Sequence, residues 1–385
     1  MKSIYLDHAA STPLHPQVLE QMLPFWSEVF GNPSSMHAWG RASRSALNDA
    51  REILAGALHC TSKEIIWTSG GTESDNLALF GTMLQGSPTE FTRNHIITTQ
   101  IEHHAVLHSC EQLERLGFEV TYLPVDTQGL VCMEDLAAAI RPETALISVI
   151  YGNNEIGTIQ PIAKLGELAR QHGIIFHVDA VQALGTEEID LSRLPIDLMS
   201  LSAHKIQGPK GIGALFCSSK IKLNPVHFGG SQERKKRAGT ENVAGAVGFA
   251  AAVKLINQDR LCTRQHLELL RQTMLDTLKL LLGQDAFVVN GHSEHYLPHI
   301  LNISFPGVDT ETMLMNLDLE GIAAASGSAC TSGSLEVSHV LKAMNLPEEI
   351  TASAIRFSFG STNSITEIVQ SAQIIATIVN RIRNK

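Results

Sequence analysis

No C-x-x-C pair occurs among the six cysteines, Cys60, Cys110, Cys132, Cys217, Cys262 and Cys330, which stand far apart in 385 residues. Scattered thiols in a long chain argue against a disulfide framework and for a reducing, cytoplasmic setting. No apolar run approaches the roughly 20 residues that a membrane span needs, so no membrane partner is expected. The stretch from Met1 to His8 lacks the apolar core of a secretion signal. Positive charge is scarce: 29 Lys and Arg against 39 Asp and Glu give a formal net charge of −10. Such a surface repels phosphate backbones, and no nucleic-acid partner is expected. Repeats and low-complexity tracts are absent, and 44% hydrophobic with 18% charged residues excludes a disordered or fibrous chain.

What is present suits two or three domain-sized units, or one large α/β unit with a satellite. Apolar runs at Glu64–Thr68, His95–Thr99, Glu119–Val125, Ala145–Ile150, Gly173–Val178, Asp197–Leu201 and Gly213–Cys217 read as strands. Between several of them lie helical periods, such as Leu47, Ala50, Leu54, Ala57 and Leu58 within 41–59. This alternation predicts a mainly parallel seven-stranded sheet covered on both faces. Gly213–Cys217 follows its predecessor too closely for a helical crossover, so one antiparallel member is expected. A second, smaller α+β unit is expected from about residue 261, opening with a helix over 261–282. Its final helix begins at the capping box Ser364-Ile-Thr-Glu367. The expected division is 15–260 for the large domain, and 1–14 with 261–385 for the small one.

Three motifs at strand ends carry chemistry. Thr68-Ser-Gly-Gly71-Thr72 joins a strand to a helix, so its backbone N–H groups and the Thr72 hydroxyl can hold a phosphate. Neither a Walker loop nor a G-x-G-x-x-G fingerprint is present, and an ordinary Gly-rich turn is the plain alternative. Asp179 ends an apolar strand, where it can pair with a cationic ring nitrogen or simply cap a helix. Lys205 follows another strand beside Ser202 and His204, which can donate to the same phosphate. Burial there would lower the lysine pKa and suit a Schiff base, although a strand-end lysine in a turn is the bland reading. Together the three describe a site for pyridoxal phosphate.

Cys330 stands in a stretch from Ala323 to Ser334 whose every other residue is Ala, Gly, Ser or Thr. No large side chain pins it to a core, which suits a nucleophile that delivers its product elsewhere; an incidental thiol in a linker is the alternative. His103, after the strand His95–Thr99, can stack on a pyridine ring and move protons. His104 and His108 have helical i,i+4 spacing, but no third ligand supports zinc, so no metal is expected. His292, His295, His299 and His339 read as surface or packing residues. The one basic run, Gln232-Glu-Arg234-Lys-Lys-Arg237-Ala-Gly239-Thr240, reads as a solvated loop; four charges in an acidic chain without interleaved aromatics are weak evidence for a nucleic-acid patch. Arg356, within an apolar strand, requires a carboxylate: a protein one or that of a substrate.

Tyr5-Leu-Asp-His-Ala-Ala-Ser-Thr-Pro13, Asn32-Pro-Ser-Ser, Ser69-Gly-Gly-Thr-Glu-Ser-Asp-Asn76, Glu102-His103, Asn153-Asn-Glu-Ile-Gly157, Ser202-Ala-His-Lys205 and Ser326-Gly-Ser-Ala-Cys330 occur in that order. In this the chain resembles the cysteine desulfurases, class V enzymes of fold type I that use pyridoxal 5'-phosphate. The Ser-Gly-Ser-Ala-Cys segment is similar to the group with a mobile cysteine loop, nitrogenase-associated and housekeeping enzymes included. The resemblance implies that Lys205 carries the cofactor and moves the substrate Cα proton, while Asp179 pairs with the ring nitrogen. It implies Asn154 and Gln182 at the ring hydroxyl and His103 stacked on the ring as an acid–base group. Gly71, Thr72, Ser202 and His204 would hold the phosphate, joined by Thr240 from the other subunit of a homodimer. Arg356, helped by Asn154, would bind the carboxylate of L-cysteine. Cys330 would take the sulfur as a persulfide and pass it to a protein acceptor, such as an iron–sulfur scaffold or sulfur carrier.

Two departures stand out. Lys235 and Lys236 replace Gly- or Met-like residues. The chain also ends at Lys385, short of the tail of housekeeping members, which shifts the expectation toward a nitrogenase-type or accessory role. A selenocysteine lyase or class V aminotransferase is the alternative enzyme; a catalytically silent sulfur-transfer scaffold is the alternative of another kind. Aminotransferases have no need of Cys330.

Overall fold

The computed structural model describes residues 3–84, 93–327 and 337–384. Seven strands form the large sheet: β2 (Ile65–Thr68), β3 (His95–Thr99), β4 (Glu119–Leu123), β5 (Thr144–Ile150), β6 (Ile175–Asp179), β7 (Leu198–Ser202) and β8 (Gly213–Cys217). They follow β1 (Ile4–Tyr5), which pairs in parallel with β11 (Ile322–Ala323). The sheet order is β2-β8-β7-β6-β5-β3-β4, and β8 alone runs antiparallel, to both of its neighbours. The close spacing of β7 and β8 forces this, as expected, because too few residues intervene for a crossover helix. β2, β3, β7 and β8 are buried at every residue, since helices cover both faces.

A smaller antiparallel sheet has the order β12-β10-β9, from β9 (Val288–Asn290), β10 (Ile300–Ser304) and β12 (Ala354–Ser358). Its helices Thr310–Leu319 and Ile365–Arg383 enclose an apolar cluster that also takes in Ile4 and Leu6. The Ser364–Glu367 capping box forms as the residues predict.

One expectation is corrected. The helix expected over 261–282 begins eighteen residues earlier and runs unbroken from Val243 to Leu282. Its first eleven residues, Val243 to Val253, are buried against the large sheet except the half-buried Val247; Leu267, Leu270, Met274 and Leu278 enter the small cluster. The opening Ala-Gly-Ala-Val-Gly-Phe-Ala-Ala-Ala hides its periodicity because small residues are needed for close packing. A Cβ on Gly248 would lie 2.5 Å from Met22 Sδ. The proposed boundary near residue 260 thus falls inside a helix. Among the described residues, no helix is long and apolar enough to cross a membrane.

Candidate active site

Five parallel strands deliver the predicted groups at their C-terminal ends, where open α/β sheets bind ligands. β2 leads to Gly71 and Thr72, β3 to His103, β5 to Asn154, β6 ends at Asp179, and β7 leads to His204 and Lys205. They surround one cavity of about 170 Å³, lined by Gly71, Thr72, His103, Asn154, Asp179, Gln182, Ser202, His204, Lys205 and Arg356. Two predicted residues are not among them. Thr240 is exposed on the loop before Val243, away from this cavity. Cys330 lies outside the described residues.

Lys205 donates Nζ to the backbone carbonyls of Ala9 and Ala10. The N-terminal segment is strapped over it: Thr12 N and Oγ1 both donate to the His204 carbonyl, at 3.0 and 2.7 Å. This strap comes from the Tyr5–Pro13 motif, which carried no assigned role in the sequence. Its contacts are to backbone oxygens, so side-chain chemistry could not reveal them.

Asp179 is 4% exposed and accepts from Val181 N at 3.0 Å. Burial pushes its pKa up to about 6, opposed by that bond and by the charge of Lys205. Asp75, missed by sequence reasoning, lines the same cavity, and burial with the nearby Asp179 charge raises its pKa well above the usual range. Beneath them His177 bonds Ser148 Oγ at 2.8 Å and Ser200 Oγ at 3.0 Å, and burial brings its pKa down to about 3.

His103 caps the helix His104–Arg115 by accepting Ala105 N at Nδ1, 3.1 Å away. In the neutral ring the proton is therefore on Nε2. Burial, then Lys205 and the neighbouring histidines, brings its pKa down to about 4, so it stands as a neutral base. His339, read as surface or packing, approaches His104 with ring centroids 4.7 Å apart and donates Nε2 to the Glu102 carbonyl at 2.9 Å. His299, read likewise, donates Nε2 to Gln182 Oε1 at 3.2 Å, while Gln182 Nε2 donates to Ala9 O at 2.9 Å.

Arg356 is 1% exposed, and of its two possible partners the structure shows a protein carboxylate. Nη2 donates to Asp7 Oδ1 at 2.8 Å and Nη1 to the Asn154 carbonyl at 3.0 Å, while Nε is buried without a partner.

The basic run is solvated only in part: Arg234 and Lys235 are exposed, while Glu233 and Arg237 turn inward. Glu233 within it is buried and makes a two-pronged ion pair with Arg51, 2.6 Å on each side, and also accepts from Trp67 N at 3.0 Å. Arg237 bonds Glu73 at 2.7 and 3.1 Å. Charge composition alone could not show that these groups point inward.

The residues fit pyridoxal phosphate. Ser202 Oγ is buried at the cavity with no partner in the protein, the signature of a donor awaiting an anion. It faces the N-terminus of the helix Gly71–Met83, whose unpaired amides and dipole favour phosphate. Gly71 is required there, because a Cβ would lie 2.6 Å from Val181 Cγ2.

The fold and pocket define a pyridoxal-phosphate enzyme of fold type I. Residues 4–370 match the family model described as aminotransferase class-V, and the chain belongs to that family. A Bacillus subtilis (strain 168) protein is 50% identical over 383 residues, covering 99% of this chain and 100% of its own length. The protein named cysteine desulfurase IscS in Methanosarcina thermophila is 46% identical over 383 residues, covering 100% of this chain and 93% of its own. Among solved structures, a NifS-like protein superposes with a TM-score of 0.92 at 34% identity, covering 98% of this chain and 100% of that one. SspA in complex with cysteine superposes at 0.81 with 35% identity, over 93% and 99%.

Proposed function

We propose that the chain is a pyridoxal-phosphate-dependent cysteine desulfurase that converts L-cysteine to L-alanine. The observation that carries this reading is the convergence of Lys205, Asp179, His103 and Arg356 on one cavity, in a chain whose relatives carry that name.

When bound, the cofactor withdraws electrons from the substrate Cα and stabilises the carbanion formed there. Gly71, Thr72, Ser202 and His204 hold its phosphate, with Thr240 supplied by the partner of a homodimer. Asp179 would receive the ring nitrogen, Gln182 and Asn154 the ring hydroxyl, and His103 would lie against the ring. Arg356 orients the substrate carboxylate with its fork, fixing which bond at Cα faces Lys205. Lys205 would hold the cofactor through its amine, and that amine, once free, would take the Cα proton.

Sulfur leaves by thiolate attack. The Cys330 sulfur forms an S–S bond to the substrate sulfur as the Cβ–S bond breaks, and the electron pair stays with the carbon fragment. Two protons then complete L-alanine, and Cys330 is left as a persulfide. A protein acceptor such as an iron–sulfur scaffold or sulfur carrier takes this sulfur, in the cytoplasm.

Incubating the cofactor-loaded protein with L-cysteine and a thiol reductant tests the reading. Equal amounts of alanine and sulfide are expected, and neither from Cys330→Ser. A keto acid in place of alanine would instead mark an aminotransferase.

A further inference from the structure

The turn after β5 does more than present Asn154 to the cavity. Its next residue, Glu155, is 1% exposed. Glu155 N donates to Asn153 Oδ1 at 2.8 Å, and its carbonyl accepts from Asn302 Nδ2 of β10 at 3.2 Å. The residue is thereby held from both units.

Its carboxylate faces the two described ends that flank residues 328–336. Ser338 donates its hydroxyl to Glu155 Oε2. From the other end, Gly327 approaches so closely that a Cβ there would lie 3.0 Å from the same oxygen and 3.4 Å from Cδ. This contact gives the glycine of Ser326-Gly-Ser-Ala-Cys330 a physical reason: any side chain would press on a buried carboxylate. The neighbouring residues are also tied to the site. Ala325 and Arg356 exchange backbone hydrogen bonds of 2.6 and 3.1 Å, and His339 bonds the Glu102 carbonyl.

We propose that Glu155 is a positioning residue whose carboxylate clamps Gly327 and Ser338. It fixes where the segment bearing Cys330 leaves and re-enters the fold relative to the cavity. Thiolate attack needs the sulfur atoms brought to about 3–3.5 Å, and a misplacement of about 1 Å costs on the order of 100-fold in rate. The proposal rests on the desulfurase reading for what that segment must do.

The test compares cofactor-loaded wild type with Glu155→Ala, Glu155→Gln, Ser338→Asp and Ser338→Thr. Asp retains an N-cap acceptor for the helix His339–Ala343 but sets two carboxylates against each other; Thr keeps the donor. Glu155→Ala and Ser338→Asp are expected to lower kcat for alanine by about tenfold, with KM for L-cysteine and the cofactor absorbance unchanged. Glu155→Gln and Ser338→Thr should retain most of the rate. The alkylation rate of Cys330 by iodoacetamide, read by peptide mass, should shift severalfold in the two impaired variants alone. Wild-type kcat and alkylation in both would overturn the clamp, as would a KM or absorbance change that tracks kcat, which would place the effect at Asn154. If Glu155→Ala fails to fold, the Ser338 pair decides. If wild type forms no alanine, the desulfurase reading falls, and the alkylation comparison still decides the clamp.

Discussion

Arg356 and Asp7 meet in a 2.8 Å ion pair across 349 positions of sequence, with the arginine 1% and the aspartate 20% exposed in their side chains. The N-terminal segment thus holds the guanidinium that faces the cavity, while the Asn154 carbonyl takes a second N–H. The fork is pre-set before any carboxylate arrives. Arg356→Lys loses that planar geometry, and KM for L-cysteine should rise by about tenfold or more, with a smaller change in kcat. Asp7→Asn should raise KM less, because the Asn154 contact remains. Steady-state alanine formation measures both; an unchanged KM in Arg356→Lys would remove the arginine from substrate binding.

Ser202 makes a prediction with two signs. Its hydroxyl is buried and unpartnered in the protein alone, so Ser202→Ala should raise the melting temperature of the cofactor-free protein. The same change should weaken cofactor binding by about the 1.5–3 kcal/mol of a lost bond to a charged group. Thermal melts with and without pyridoxal phosphate read both. A fall in both quantities would make Ser202 structural.

Breaking the Arg51–Glu233 pair should be costly. Both side chains are buried, at 7% and 3% exposure, and Glu233→Ala strands a guanidinium. The expected loss is about 3–5 kcal/mol, seen as a lower denaturant midpoint. A loss below 1 kcal/mol would mean water reaches Arg51 once the glutamate is gone.

Acid should unfold this protein through its histidines. Burial lowers His95, His103 and His204 to about 4, and His177 and His299 to about 3, from an ordinary 6.5. Below pH 6.5 the unfolded chain therefore binds protons that the folded chain refuses, and stability falls with falling pH. Glu102 acts with the opposite sign. Its pKa is raised by burial from 4.5 to about 8, so its contribution is lost as pH rises through 8. The urea midpoint of the cofactor-free protein should rise from pH 5 to 6.5 and decline from there to pH 8, with the decline lessened in Glu102→Gln and the remainder carried by Asp75, whose carboxyl burial also raises. A flat profile would contradict both assignments.

The site was legible where chemistry-bearing side chains follow strands buried on both faces. An uninterrupted apolar run ending in Asp179, or in Ser202 before Lys205, marks a strand and its exit together. The strap over Lys205 was illegible because Ala9 and Ala10 act through carbonyls, which every residue has. His299 and His339 gave no signal, since neither has a helical or strand-end pattern linking it to Gln182 or Glu102. The long helix was misplaced because Gly248 and its alanine neighbours pack too tightly to show a stripe. Glu233 was read as solvated because a single acid among Arg and Lys looks like part of a surface run.

The helix from Val243 to Leu282 also constrains how this molecule can work. A beam forty residues long, sunk at one end into each core, replaces the pliable joint on which cleft closure depends. The expectation is that this shared helix keeps the angle between the two units the same with and without a ligand. Small-angle scattering should accordingly show the same radius of gyration with and without L-cysteine.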